Sequence, residues 1–192
     1  MTEPAATHRE GLSPALSLSD FGPTAPLWLP GHALNCYEGE PALRSWLLTP
    51  GLLTERIRSS AGGSYRMTLV CEQREAAGHL REIEMGAGAV VWMFARSRVP
   101  AATLAQHPWL AQIGSTPLGA ALSARGHRLS RSDFEYARLM ADAPIVQRAL
   151  QRASQPAQPL WVRRSTFFVD DQPLALAEVF LPAIAIGAVH LP

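Results

Sequence analysis

The segment that most limits how this chain can fold runs from Leu174 to Pro182. Its alternating residues are apolar on both faces, and the exception is Glu178, which shares a face with Leu176 and Phe180. A strand that is apolar on both faces must be covered on both sides, so the segment predicts a central strand of a sheet. A buried carboxylate is costly unless it is protonated, paired or bound to a ligand. Glu178 is therefore a candidate functional residue.

Arg81 occupies a comparable position in another strand-like segment. Alternation places it with Ile83 and Met85 on the more apolar face. A guanidinium in such a place needs an anionic partner. Two interpretations remain open: Arg81 and Glu178 form an ion pair in the core, or they belong to an enclosed site for a small anion with a proton-active group beside it.

Length and composition predict one domain. The chain has 192 residues, of which 47% are hydrophobic, and this is enough for a core. Residues 1–35 are predicted to form a Pro-rich irregular leader, with Trp28 and Leu29 as a candidate anchor, and residues 36–192 to form the single domain.

A net charge of +1 gives no basis for a nucleic-acid partner. No apolar run approaches the roughly 18 residues of a membrane span, and no secretory signal is evident, so we expect a cytoplasmic protein.

The ionisable residues exclude several kinds of chemistry. All 17 basic residues are arginine. A chain without lysine cannot be a Schiff-base lyase, a pyridoxal-phosphate enzyme or a Walker-type phosphate binder. Cys36 and Cys71 form no metal motif, neither His79 nor His107 belongs to a metal-ligating set, and Asp170–Asp171 is a turn. We therefore expect no metal.

The order of predicted elements indicates an α+β fold. Strands joined by short turns favour an antiparallel sheet of about six strands, with helices packed on it. The first two helices resemble a helix-turn-helix in shape, but the short second helix and the near-neutral charge disfavour DNA binding. The predicted strands are 65–73, 78–85, 90–99, 132–140, 160–169 and 174–182. The predicted helices are 43–48, 52–60, 103–113 and 144–153, with a short one ending near residue 124 and a peripheral tail from residue 183.

Several short blocks resemble the chorismate lyase (chorismate pyruvate-lyase) family in their order along the chain. The likeness covers roughly residues 40–183. The blocks are Leu80-Arg81-Glu82-Ile83, Ala95-Arg96-Ser97-Arg98-Val99-Pro100, Gly114-Ser115-Thr116-Pro117-Leu118-Gly119 and Glu178-Val179-Phe180-Leu181-Pro182, with weaker matches at Ser45-Trp46-Leu47-Leu48 and Leu53-Thr54-Glu55-Arg56.

The resemblance implies a fold and an activity. The fold is a six-stranded antiparallel sheet whose helical flaps close over an enclosed ligand cavity. The activity removes pyruvate from chorismate and leaves 4-hydroxybenzoate, the first step of ubiquinone biosynthesis, without metal or organic cofactor. We expect the protein to bind chorismate and 4-hydroxybenzoate as its small-molecule partners and to be a monomer.

The resemblance also implies site residues. Arg81 should bind the ring carboxylate, and Glu178 should lie at the opposite end, near the ring oxygen that carries the pyruvyl ether. The backbone N–H of Leu118 should help hold a carboxylate, Leu53 should line the flap side, and Arg96 should reach the pyruvyl carboxylate. Catalysis is expected from Glu178 and Arg81. A carboxyl group in an apolar cavity favours its protonated form, which suits a residue that holds or passes a proton.

Two other functions remain open. Ligand-sensing domains of GntR-type regulators share the fold and bind small molecules without converting them. The first 40 residues are too short and too Pro-rich for the DNA-binding domain that normally precedes such a sensor. A structural or interaction protein, in which Arg81 and Glu178 merely pair, is the other alternative.

Overall fold

The computed structural model describes residues 18–21, 26–36 and 39–187. An antiparallel sheet dominates these ranges, with the strand order β1-β6-β7-β8-β4-β3-β2 and with β5 paired to β7. The strands are β1 (Leu29–Pro30), β2 (Tyr65–Glu75), β3 (Gly78–Ala87), β4 (Val90–Pro100), β5 (Leu129–Arg131), β6 (Glu135–Leu139), β7 (Leu160–Val169) and β8 (Gln172–Phe180).

The antiparallel α+β fold is confirmed, although the described part of the sheet has eight strands instead of about six. The predicted strand 132–140 is divided between β5 and β6, and β1 adds a short edge strand. The helices are α1 (Leu18–Phe21), α2 (Pro41–Leu47), α3 (Leu53–Ala61), α4 (Ala101–Gln106), α5 (Leu118–Ser123), α6 (Pro144–Arg152) and α7 (Ala183–Gly187), with 3₁₀ turns at Gly31–Cys36, Gly62–Ser64 and Pro108–Gln112.

Strand β8 lies in the interior of the sheet, between β4 and β7. On one face, Ala175, Ala177 and Val179 pack in a cluster that includes the apolar side of α6. On the other face, Phe180 belongs to a cluster with residues of α2, α3 and α7. Both faces of β8 are covered, as its two apolar faces predict.

Two hairpins set the register of the central strands. A tight turn joins β7 to β8, and Asp170 and Asp171 both have positive φ there, at 48° and 68°. Such angles in a two-residue loop match the right-handed twist of the flanking strands. The β3–β4 hairpin aligns Arg81 with Ser97 on β4.

The two ends of the described chain are docked on the body. Ile184 of α7 is fully buried, so the prediction of a peripheral tail is wrong for residues 183–187. Residues 188–192 lie outside the described ranges, as do most of the first 25. Near the other end Asp20 and Phe21 are buried, and Trp28 makes an edge-to-face contact with Phe21. The division into a leader and a domain stays a prediction.

Within the described residues, no helix has both the length and the hydropathy that crossing a membrane requires.

Candidate functional site

Arg81 and Glu178 lie on the same face of the sheet. Arg81 on β3 is aligned with Ser97 of β4, and Glu178 on β8 is aligned with Ala95 of the same strand. Because Ala95 and Ser97 are two residues apart, all four side chains project to one side. The two strands are separated by β4, which places their axes about 10 Å apart at ordinary strand spacing. A small aromatic acid has dimensions that suit this interval.

Arg81 is held by a loop that folds back over the sheet. Its Nε donates to the carbonyl of Gly114 at 3.0 Å, and its Nη2 donates to Gly114 and Thr116, both at 2.8 Å. Glu72 lies 4.0 Å from Nε and accepts a hydrogen bond from the backbone N–H of Gly114 at 3.2 Å. Burial lowers the pKa of Arg81, and the charge of Glu72 opposes that shift. These bonds use Nε and Nη2, so the two N–H groups of Nη1 take no part in them.

Glu178 is paired with Arg163, its neighbour across the β7–β8 hairpin. Arg163 Nε donates to Glu178 Oε2 at 2.7 Å, and Arg163 Nη1 donates to the carbonyl of Thr49 at 2.7 Å. The Arg163 side chain is fully buried. The interpretation in which Glu178 pairs with Arg81 is therefore wrong, and Glu178 is not the isolated carboxyl group that the sequence suggested.

Arg131 approaches Glu178 from the end of β5. Its Nη2 lies 3.9 Å from Glu178 Oε2, while its Nε donates to Ser165 Oγ at 2.9 Å. Burial lowers the pKa of Arg131 to about 10, against the opposing charge of Glu178. The Nη2 atoms of Arg131 and Arg163 are both buried, and neither has a hydrogen-bond partner in the described ranges 18–21, 26–36 and 39–187. Buried donors without partners are costly, so a group that satisfies them would be stabilising.

Leu53 and Leu118 flank the same face of the sheet. Leu53 is the first residue of α3 and packs in the cluster that holds Ile83. Leu118 is the first residue of α5, where backbone N–H groups lack partners within the helix. A Cβ atom on Gly119 would collide with the side chain of Leu52, so the loop before α3 lies directly against α5.

Arg96 departs from the prediction. It alternates with Ala95 and Ser97 along β4, so its side chain projects to the opposite face of the sheet. There Arg96 Nη2 donates to Glu82 at 2.6 Å and Nη1 donates to Asp20 at 2.7 Å. The expectation that Arg96 joins the other site residues is corrected by this arrangement.

Arg131 and Arg163 are the charged residues that the sequence analysis missed. For Arg163 the signal was available, because a two-residue turn at Asp170–Asp171 requires residues 163 and 178 to face each other. For Arg131 no local sequence pattern predicts the place beside Glu178, because that place depends on the pairing of β5 with the distant strand β7.

Comparisons with known proteins identify the family of the chain. The family model described as chorismate lyase matches residues 23–188. The chain belongs to the chorismate lyase family.

Curated relatives carry the same family name. A "probable chorismate pyruvate-lyase" of Thiobacillus denitrificans is 33% identical over 174 residues, which cover 82% of this chain and 89% of the relative. One of Aromatoleum aromaticum is 37% identical over 162 residues, covering 74% of this chain and 85% of the relative.

Among solved structures, the effector domain of PhnF from Mycobacterium smegmatis shares the fold. The TM-score is 0.53 at 18% identity, and the match covers 71% of this chain and 91% of that domain. At this identity the likeness concerns the fold alone.

Proposed function

We propose that this protein is a chorismate pyruvate-lyase, which eliminates pyruvate from chorismate and leaves 4-hydroxybenzoate. The observation that carries the proposal is the presence of cationic groups at both ends of one sheet face. Arg81 lies at one end, and Arg131 and Arg163 lie beside Glu178 at the other. Chorismate has two carboxylates and thus needs two cationic positions. The family membership and the names of the relatives support the same substrate.

Arg81 is the proposed receptor for the ring carboxylate. Three of its five N–H groups are bonded to Gly114 and Thr116, which fixes the guanidinium plane before any ligand arrives. The Nη1 edge is then available to a carboxylate, and the backbone N–H of Leu118 supplies a further donor. Preorganised donors of this kind act without rearrangement during the reaction. Leu53 closes the proposed cavity on the side of α3.

Arg131 and Arg163 are the proposed receptors for the second carboxylate, in place of Arg96. Both guanidinium groups lie beside Glu178, and their buried Nη2 atoms have no hydrogen-bond partner among the described residues. A carboxylate between them would satisfy both donors with charge-assisted hydrogen bonds.

Glu178 is the proposed proton acceptor. The elimination removes one ring proton and breaks the bond between the ring and the ether oxygen. The electron pair of the broken C–H bond completes the aromatic ring, and the enolpyruvate that leaves takes up a proton to become pyruvate. An ionised Glu178 can take the ring proton or accept a hydrogen bond at this end of the ring, and positioning supplies the rest of the catalysis. No step needs a metal or an organic cofactor.

The biological setting belongs to the same proposal. The product, 4-hydroxybenzoate, would enter ubiquinone biosynthesis. We infer a cytoplasmic monomer with no nucleic-acid partner.

The second candidate is a domain that binds an aromatic acid without converting it. The shared fold with the effector domain of PhnF is the observation that favours it.

A product assay tests the proposal and separates the two candidates. Purified protein is incubated with chorismate, in parallel samples with and without a chelator, and 4-hydroxybenzoate and pyruvate are followed by chromatography. We expect both products in equal amounts, well above the spontaneous background. Binding of 4-hydroxybenzoate without turnover would favour the second candidate, and the absence of both binding and turnover would contradict each of them.

Two substitutions test the residue roles. Glu178→Gln should lower kcat by about 10²- to 10⁴-fold, the usual contribution of a proton acceptor. Arg81→Ala should weaken the binding of substrate and product alike, by at least about tenfold, because a charged hydrogen bond is worth about 1.5–3 kcal/mol. Arg58→Ala is the control, since Arg58 is exposed on α3, where it pairs with Glu55 and lies over the ring of Tyr65. Undiminished turnover in Glu178→Gln would remove Glu178 as the proton acceptor.

A further inference from the structure

Two histidines and an aspartate meet at the end of the sheet where β7 turns into β8. His107 lies between α4 and the 3₁₀ turn Pro108–Gln112, His127 follows α5, and Asp170 is in the turn. The potential ligand atoms of the three residues all lie within 4.8 Å of one another. His127 Nδ1 is 2.7 Å from Asp170 Oδ2, and His107 Nε2 is 3.8 Å from the same oxygen. The expectation that His107 belongs to no such set is therefore corrected.

The Nε2 atom of His107 is buried and has no hydrogen-bond partner within the part of the chain that the structure describes. Only 6% of the residue is exposed, so solvent does not satisfy this nitrogen. Its separation from Asp170 is too long for a hydrogen bond. This buried ring nitrogen faces the Asp170 carboxylate, and the His127 ring lies beside it with its centroid 5.0 Å from that of His107, a donor set that can hold a metal ion.

The neighbouring residues hold the three groups in place. The ring of Trp109 stacks on His127, with centroids 5.6 Å apart and planes within 7°, and the guanidinium of Arg125 lies over the Trp109 ring. Asp170 Oδ1 accepts a hydrogen bond from the backbone N–H of Arg128 at 2.9 Å, which leaves Oδ2 directed at the histidines. Outer contacts of this kind orient metal ligands in known sites. The Arg128 side chain donates a hydrogen bond to the carboxylate of Asp171.

We propose that His107, His127 and Asp170 bind one divalent transition-metal ion, with Zn²⁺ as the best match. Two imidazole nitrogens and one carboxylate oxygen form a donor set that suits zinc, whereas magnesium and calcium take oxygen ligands. Bonds of about 2.0–2.2 Å in tetrahedral geometry place neighbouring ligand atoms about 3.4 Å apart. The separations of 2.7 and 3.8 Å from Asp170 Oδ2 lie on either side of that value, and the ligand atoms of all three residues lie within 4.8 Å of one another.

The ion would act as a structural clamp. His107 and His127 bracket the segment that contains α5 and the loop whose carbonyls hold Arg81. Binding both histidines to Asp170 would tie the two ends of this segment to the β7–β8 turn. The ion lies outside the proposed substrate site, so its presence is independent of the proposed function. A ligand that binds only the folded state raises the unfolding temperature.

The test is metal binding by the full chain without a histidine tag. The protein is stripped with chelator, dialysed and titrated with Zn²⁺ by calorimetry, and Co²⁺ is added separately because its absorption bands report coordination geometry. We expect one Zn²⁺ per chain, an unfolding temperature raised by several degrees, and the intense visible bands of tetrahedral Co²⁺. His127→Gln and Asp170→Asn should each lower the affinity at least tenfold. His32→Gln, which removes an exposed histidine elsewhere, should not change it.

Asp170→Asn keeps the test decisive if a histidine variant fails to fold. Asparagine tolerates the positive φ of position 170, so the turn is retained while the charged ligand is lost. Equal Zn²⁺ affinity in the native protein and in Asp170→Asn would overturn the proposal, as would octahedral Co²⁺ bands or the absence of stoichiometric binding.

Discussion

Both the core and the candidate site depend on the ion pair between the Glu178 carboxylate and the Arg163 guanidinium. They face each other across the β7–β8 hairpin at 2.7 Å, and both are buried. Removing one partner from such a pair leaves an uncompensated charge in the interior, which costs more than the pair itself contributes. The pair is therefore expected to be structurally necessary whatever reaction the protein catalyses.

Arg163→Met should lower the free energy of unfolding by about 3–5 kcal/mol, because Glu178 would remain buried without its partner. Chemical denaturation monitored by circular dichroism measures the change. Arg58→Ala, which removes an exposed partner of Glu55, should change it by less than about 1 kcal/mol. Equal losses in the two variants would show that burial of the Arg163–Glu178 pair has no special cost.

His79 predicts a pH dependence of stability. Burial lowers its pKa below the ordinary value of 6.5, and Glu72 only partly opposes the shift. Between the folded pKa and 6.5 the unfolded chain binds more protons than the folded one, so the folded protein loses stability as the pH falls through that window. Unfolding at pH 7.5 and pH 5 should show this loss, and His79→Leu should reduce it. The exposed His32 is the control: a similar effect of His32→Gln would contradict the assignment.

At the scale of secondary-structure elements, the β7–β8 hairpin is the part of the site that the sequence predicts best. The apolar faces of Leu174–Pro182 correctly indicate a central strand. The predicted strands leave residues 170–173 for the turn, whereas the observed turn is Asp170–Asp171 alone, and this shorter turn aligns residues 163 and 178. Alternation along β4 places Arg96 on the sheet face opposite Arg81 and Glu178. The expectation that Arg96 belongs to the site rests on the family resemblance. The alternation of β4 predicts the opposite face, and the structure agrees with the alternation.

The β7–β8 turn itself can be improved by substitution. Asp171 has φ of 68°, a left-handed conformation that costs a non-glycine residue about 1–2 kcal/mol. Asp171→Gly should raise the free energy of unfolding by about 0.5–1 kcal/mol after the greater flexibility of glycine in the unfolded chain is subtracted. The ion pair lost with Arg128 is exposed and contributes little. Calorimetry measures the shift, Asp171→Val should give the opposite sign, and a less stable glycine variant would contradict the analysis.

At the scale of the whole molecule, the two faces of the sheet carry different sets of charged residues. One face carries Arg81, Glu178 and their partners, and the other carries an ionic network. In that network Asp20 accepts hydrogen bonds from Arg96 at 2.7 Å and from Arg98 at 2.9 Å. No pattern within the first 40 residues predicts this contact, because its partners lie about 76 residues further along the chain. The same holds for the loop at Gly114, which reaches back to Arg81 across 33 residues.

Asp20→Asn tests whether the ionic network contributes to stability without contributing to substrate binding. The substitution leaves the guanidinium groups of Arg96 and Arg98 without the charge of their buried partner, so it should lower the free energy of unfolding by about 3 kcal/mol. It should leave the KM for chorismate unchanged, because the network lies on the face opposite Arg81. Steady-state kinetics and denaturation on the same preparation provide both values. A tenfold higher KM with unchanged stability would show that the network belongs to the substrate site.

The structure of the protein with bound 4-hydroxybenzoate tests the central claim most directly. The claim is that Arg81 and Glu178 mark the two ends of one site on one sheet face. We predict that the carboxylate of the ligand lies within hydrogen-bond distance of Arg81 Nη1 and the backbone N–H of Leu118, with the hydroxyl end of the ring at Glu178. A ligand bound in the reverse orientation, or on the face of Arg96, would contradict the account.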